Sequence, residues 1–180
     1  PVSTGYIFSG WTGSNGNTPQ TAVTITKGSY GNKSYTANWS IDPYNISYDL
    51  AGGTNAASNP VSYTIETADT VLAAPVRTGY AFSGWTGSNG NTPQTAVTIA
   101  KGSHGNKSYT ANWTPITYQI AYDANGGSGT MNDQSVSYGQ SVSLIANAFV
   151  RSGYTFTGWN IRKDGGGSGY ANSANMKNLK

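Results

Sequence analysis

Apolar and polar residues alternate in short runs along much of the chain, the period-two signature of half-buried β-strands. Tyr44-Asn45-Ile46-Ser47-Tyr48-Asp49 alternates without a break, which puts Tyr44, Ile46 and Tyr48 on one face. Ser34–Trp39 does the same with Tyr35, Ala37 and Trp39, and Lys107–Trp113 with Tyr109 and Trp113. Tyr118–Asp123 repeats the first pattern with Tyr118 and Tyr122. Further short strands are predicted at Ala22–Ile25, Val61–Thr67 and Ser137–Val142. Gly5–Trp11 reads as a short strand or turn with Tyr6 and Phe8 on one face. Thr12–Gln20 reads as loop, because Asn15-Gly16 and Thr18-Pro19 are turn chemistry. Lys27–Asn32 is a second turn, and Ala51-Gly52-Gly53 a third that needs positive φ. Ala68–Pro75 holds the only compact run of Ala and Leu and is expected to form a helical turn.

The pattern recurs. Residues 75–114 repeat residues 1–40 with only five differences, at Ser3/Arg77, Ile7/Ala81, Thr26/Ala100, Tyr30/His104 and Ser40/Thr114. A looser third copy of the head runs from Val150 to Trp159. Trp11, Trp85 and Trp159 are 74 residues apart, as are Gly5, Gly79 and Gly153, and Gly52-Gly53 returns as Gly126-Gly127. The expected organisation follows that period. Residues 1–40 are the C-terminal half of a first repeat, 41–114 a complete repeat, and 115–180 a third repeat lacking its last strand. Ser137-Tyr138 lies one position out of register with Ser62-Tyr63.

Composition adds two constraints. A unit of about 70 residues buries only ~60% of its chain surface and is marginal unless its side chains are large. The 5 Trp, 13 Tyr and 4 Phe meet that need, each ring burying about 150–250 Å². Tyr80, Phe82 and Trp85, with Tyr154, Phe156 and Trp159 in the third repeat, are therefore core candidates rather than a glycan platform. Trp113 is a candidate for core or for contact with the next repeat. Gly79, Gly84, Gly153 and Gly158 are assigned to turns beside them.

Charge is scarce: 9% of residues, net +3. Lys27, Lys33, Lys101 and Lys107 are spread over turns, so there is no footprint for nucleic acid. No apolar run is long enough for membrane insertion, and without cysteine there is no disulfide framework or thiol chemistry.

Catalysis needs paired groups in fixed geometry. His104 is the only histidine, replaced by Tyr30 in the other copy, and Glu66 is the only glutamate. An enzyme is not expected, nor is any cofactor. Gly10–Gly16 is GxxGxxG and not a dinucleotide fingerprint, and Gly31-Asn32-Lys33-Ser34 breaks the phosphate-loop pattern. Asp123–Gly127 lacks the alternating carboxylates of a calcium loop, so no metal is expected. Lys33 and Lys107 lie beside Asn but in turns, which disfavours an isopeptide crosslink.

Three motifs taken together resemble the Listeria–Bacteroides repeat, the B-repeat type of internalin surface proteins. They are Tyr-x-Ile-x-Tyr-Asp-x-x-Gly-Gly at 44–53, Arg-x-Gly-Tyr-x-Phe-x-Gly-Trp at 77–85 and Tyr-Thr-Ala-Asn-Trp at 109–113. Positions 118–127 and 151–159 carry the first two, and positions 5–11 and 35–39 the last two. The resemblance implies a β-rich α+β fold of tandem, small β-grasp-like repeat units with a short helix or turn. It also implies an extracellular bacterial protein, at the cell surface or secreted. The expected role is a spacer or stalk presenting an adhesive head, with neighbouring repeats as the main partners. Two alternatives stand beside it: a filament subunit joined to other copies by strand complementation, and a module binding a glycan or host protein.

Overall fold

A computed structural model of the protein describes residues Pro1–Lys177. Every regular element among them is a strand. The first segment contributes β1 (Tyr6–Gly13), β2 (Gly16–Gln20) and β3 (Tyr35–Ile41). The central repeat contributes β4 (Tyr44–Asp49), β5 (Ser62–Tyr63), β6 (Thr70–Val71), β7 (Tyr80–Gly87), β8 (Gly90–Gln94), β9 (Thr98–Ile99) and β10 (Lys107–Pro115). The rest holds β11 (Thr117–Ile120), β12 (Gln134–Ser137), β13 (Ser141–Ser143), β14 (Trp159–Asn160), β15 (Gly169–Tyr170) and β16 (Asn175–Lys177). Two compact units result: Pro1–Val76 with Phe82–Asn112, and Arg77–Ala81 with the residues from Trp113 on.

In the first unit, β1 pairs antiparallel with both β2 and β3, giving the order β2-β1-β3. The central sheet has the order β5-β4-β10-β7-β8, with β10 parallel to β4 and Tyr109 opposite Tyr48. β6 and β9 form a separate antiparallel pair. The core gathers where alternation placed large residues inward: Ile46, Tyr63, Tyr109 and Ala111 are buried, joined by Leu72, Val97 and Ile99. Trp85 is 0% exposed. Its ring meets Phe82, Tyr48 and Tyr109 at centroid distances of 5.3, 5.6 and 6.3 Å, inclined at 54–66°, the edge-on geometry that aromatic quadrupoles favour. In the second unit, β11 pairs antiparallel with β12, β13 with β16 and β14 with β15, around buried Val136 and Leu144.

The α+β, β-grasp-like expectation is overturned: the fold is all-β among the described residues, in tandem repeats. The segment expected as a helical turn, Ala68–Pro75, is extended and carries β6. The reason is Asn59, a buried amide whose Oδ1 accepts from Ala73 N at 2.7 Å while its Nδ2 donates to Ala73 O at 3.0 Å. That side chain supplies Ala73 with both bonds a neighbouring strand would give. Leu72 N adds a bond to Val97 O at 2.9 Å, and Thr54 and Val76 bridge. These long-range partners override the local preference of Ala and Leu for helix.

Four smaller expectations also change. Thr12–Gln20 is not loop but the turn and second strand of a hairpin, repeated by β7–β8. Pro19 is tolerated because β2 is an edge strand, where a missing N–H breaks no ladder bond. Val61–Thr67 shortens to Ser62–Tyr63, because Thr67 Oγ1 accepts from Thr64 N at 2.9 Å and turns the chain. Ser137–Val142 is broken at Gly139, which has φ 83, between β12 and β13. Ala22–Ile25 forms no strand, although its counterpart Thr98–Ile99 does, because only the latter has β6 to pair with.

Candidate functional site

The most elaborate local geometry surrounds the Gly-Trp of each head. β7 carries an irregularity between Trp85 and Gly87, and β1 shifts register between Phe8 and Gly10. Gly84 has φ 128, and a Cβ there would stand 2.5 Å from Gln94 N, a backbone atom that cannot yield. Gly10 meets Gln20 N at 2.6 Å and Gly158 meets Tyr170 O at 2.7 Å in the same way. So the glycine lets the partner backbone come close while the following tryptophan turns into the core.

Asparagine holds the irregularity. Asn112 Nδ2 donates to Gly84 O at 3.1 Å and to Thr86 Oγ1 at 3.0 Å, and Asn38 makes the same bonds to Gly10 O and Thr12 Oγ1 at 3.1 and 3.0 Å. Asn89 and Asn15 each donate to the tryptophan carbonyl at 2.7 Å. The signal for these asparagines in the sequence is their fixed place in Tyr-Thr-Ala-Asn-Trp and Trp-Thr-Gly-Ser-Asn.

The predicted aromatic positions divide. Ile46, Trp85 and Tyr109 are buried. Tyr44, Tyr48, Tyr80, Phe82, Trp113, Tyr118, Tyr122 and Trp159 are half-buried. Tyr44 lies 5.6 Å from Tyr63. Tyr48 donates to Pro60 O at 2.9 Å, and Tyr122 donates to Gln134 Oε1 at 2.6 Å. The core expectation fails for Tyr154 and Phe156, 68% and 40% exposed, because no strand covers that face of the third repeat among the described residues. Burial pushes the Tyr48 phenol up to about 12, with the Tyr109 phenol adding to the effect. Burial likewise raises Tyr63 and Tyr109.

The turn glycines follow a shifted rule. Positive φ falls on Ala51 and Gly52 (46° and 86°) and on Asn125 and Gly126 (45° and 84°), not on Gly53 or Gly127. Each turn is closed by an aspartate accepting a backbone N–H: Asp49 from Ala51 at 3.0 Å and Asp123 from Asn125 at 2.6 Å. Those carboxylates therefore form turns, and no cluster of three or more His, Cys, Asp or Glu side chains occurs among the described residues.

The remaining predicted glycines mark contacts between successive repeats. In the first unit, Gly5 O accepts from Asp42 N at 2.9 Å, and Gly5 lies flat against Ile65, where any Cβ would collide with that side chain. Tyr6 donates to Glu66 Oε1 at 2.6 Å, a bond that raises the Tyr6 phenol. In the second unit, Gly79 O accepts from Ile116 N at 2.9 Å, and Gly79 lies flat against the Tyr138 ring. Tyr80 stacks edge-on to Tyr138 at 5.6 Å, with the Arg77 guanidinium 3.9 Å from the Tyr80 ring centre on a cation–π contact. Ile65 and Tyr138 are structural counterparts: Tyr44 pairs with Tyr63, Tyr118 with Val136, and each contact residue lies two positions further on. This 73-residue offset replaces the sequence alignment of Ser137-Tyr138 with Ser62-Tyr63, which is an offset of 75: by strand pairing Tyr138 is the counterpart of Ile65 and not of Tyr63. Gly153 has nothing within 4 Å of a Cβ, although Arg151 covers Tyr154 at 4.1 Å as Arg77 covers Tyr80.

Tandem all-β units joined head to following strand thus define the class of the protein. The sequence profile of the Listeria-Bacteroides repeat domain matches residues 44–113 and 118–179, and that of the divergent InlB B-repeat domain matches residues 3–43. The chain belongs to the Listeria-Bacteroides repeat family, a repeat family of bacterial surface proteins. Two proteins of Evansella cellulosilytica are similar to it. One, named a membrane protein, is 30% identical over 137 residues, which is 73% of this chain and 20% of that protein. The other, named a Gly-rich membrane protein, is 33% identical over 105 residues, 52% of this chain and 12% of that protein. The chain therefore spans a fifth or less of the relatives it matches. No solved structure matches it. No helix among the described residues is long and apolar enough to cross a membrane.

Proposed function

We propose that this segment is a spacer in an extracellular bacterial surface protein, setting the distance between an anchor and a presented head. The observation that carries the reading is the repeated junction. Gly5–Asp42–Ile65 and Gly79–Ile116–Tyr138 use the same backbone bond and the same flat glycine contact. A joint that recurs with the sequence period is a joint that can be iterated, and iteration sets length. Near-identical segments are poorly suited to carrying distinct chemistries and well suited to adding equal increments.

A glycan- or protein-binding role draws less support. It needs exposed rings grouped together, whereas in the central repeat Tyr48, Phe82, Trp85 and Tyr109 are packed on one another.

Small-angle scattering on arrays with increasing numbers of 74-residue repeats tests the reading. A maximum dimension that grows by equal steps is the expected result. A dimension that saturates as repeats are added would remove the spacer role. Single-molecule stretching should complement it, one repeat releasing up to ~240 Å of contour at about 3.3 Å per residue.

A further inference from the structure

The first and last strands of the central repeat lie side by side. β4 begins the repeat and β10 ends it, and the two pair in parallel: Ile46 opposite Lys107, Ser47 opposite Ser108, Tyr48 opposite Tyr109 and Asp49 opposite Thr110. The pairs β4–β5, β6–β9 and β7–β8 are antiparallel. Parallel neighbours start at the same end of a sheet. The chain therefore enters the repeat at Tyr44, beside the start of β10, and leaves from the far end of β10 at Pro115.

That arrangement fixes how tension along the chain acts on the repeat. A pull on the residues before β4 and after β10 drives the two strands past each other along their common axis. The four rungs are then strained together, and none opens before the others. Two strands pulled from the same end would instead open rung by rung.

Side chains reinforce the ladder where the shear falls. Asn106 Oδ1 accepts from Asn45 N at 2.9 Å, one position ahead of the first rung, and Ser47 Oγ donates to Lys107 O at 3.4 Å. Tyr48 and Tyr109 stack at 6.1 Å and 27°, and the Tyr48 hydroxyl donates to Pro60 O at 2.9 Å. Ile46, Tyr109 and Ala111 are buried and keep water off one face of the ladder, and a hydrogen bond in such a low-dielectric site is stronger than one in water. On its other side β10 has β7 as a neighbour, which holds it in the sheet while β4 is pulled.

We infer that the β4–β10 ladder is a shear clamp that lets the repeat keep its length under tension, an assignment that rests on the spacer reading for the direction of load. A stalk between an anchor and a head is pulled through the two chain ends of each repeat, which are the ends that β4 and β10 supply. Forced unfolding follows the unfolding rate rather than the equilibrium stability. Here the barrier includes the simultaneous loss of the parallel rungs and of the Asn45–Asn106 bond.

Single-molecule stretching of the whole chain in two directions tests the clamp. The sequence has no cysteine, so paired cysteine substitutions give unique attachment points. Ser40→Cys with Thr114→Cys, exposed positions one repeat apart, pulls the ladder in shear. Ser40→Cys with His104→Cys, also exposed, pulls β4 and β10 from the same end and peels them. The rupture force should be several-fold higher in shear. Asn106→Ala should lower the shear force. Asn89→Ala, which removes a bond to Trp85 O inside the β7–β8 hairpin, should lower the denaturation midpoint and leave the shear force close to that of the parent. Equal forces in the two directions overturn the clamp, as do shear forces that follow the denaturation midpoint across the two variants. The comparison of directions stands even where a variant loses its fold. Scattering dimensions that grow in equal steps without a shear advantage remove the clamp alone, whereas dimensions that saturate with the shear advantage intact remove the spacer reading alone.

Discussion

Residues 1–40 and 75–114 are the same sequence at 35 of 40 positions and do not have the same structure. Both build the hairpin β1–β2 or β7–β8, both bulge beside the Gly-Trp, and both close it with an asparagine. Those features depend on contacts within the 40 residues, so they appear twice. The burial of the same side chains does not. Ile25 is 60% exposed and its counterpart Ile99 is 4% exposed. Trp11 is half-buried and Trp85 fully buried. What separates them is the preceding half of the central repeat, which supplies β4 beside β10, β6 beside β9, and Tyr48 against Trp85. A hairpin is a local object, whereas the core that covers it is not.

The widest gap between the two copies is expected at the tryptophans. Trp85→Ala should cost about 3–5 kcal/mol, the usual range for emptying a buried aromatic site. Trp11→Ala should cost clearly less, because its ring is already partly in water. Denaturant unfolding of the two variants, read as midpoint shifts, checks this; equal losses would mean that the first segment hides a core of its own.

The isoleucines should separate next. Ile99→Ala is expected to lose about 2–5 kcal/mol and Ile25→Ala no more than about 0.5 kcal/mol, the scale of surface changes. The asparagines provide the matched control. Asn38→Ala and Asn112→Ala remove the same bonds and should each cost about 1–3 kcal/mol. A large difference between them would show that the bulge in one copy depends on tertiary support.

Alkali probes the packed phenols of the central repeat. The Tyr48 phenol is pushed up to about 12 and those of Tyr63 and Tyr109 are also raised, so the folded state holds protons that the unfolded chain releases near pH 10. The stability these groups contribute is therefore intact below about pH 10 and is lost as pH rises from there towards 12. Thermal midpoints measured across that window, alongside tyrosinate absorbance, should fall together, and Tyr48→Phe should flatten the dependence. The smallest effect is expected at Ala51, a non-glycine residue at φ 46. Ala51→Asn, copying its counterpart Asn125, should add about 0.5 kcal/mol, since asparagine tolerates the left-handed region better than alanine.

Much of this architecture was legible from residues close together in sequence. Alternation located Tyr44–Asp49 and the strand ending at Trp113, and the 74-residue spacing of Gly5, Gly79 and Gly153 marked the joints without saying what they join. Three elements were not legible. Pro19 looked like a breaker because only the sheet order reveals that its strand is an edge. Ala68–Pro75 looked helical because Asn59, which holds it extended, is remote in sequence from Ala73. Tyr154 and Phe156 looked buried because the same motif is covered in the central repeat.

By itself, then, the sequence determined the repeat, its family and the strands with strict alternation, which follow from backbone sterics and near neighbours. The tertiary structure alone decided that no helix forms among the described residues and which tryptophan is dry. Those outcomes depend on partners dozens of residues away, whose arrival costs loop-closure entropy and is repaid only by packing that no local window contains.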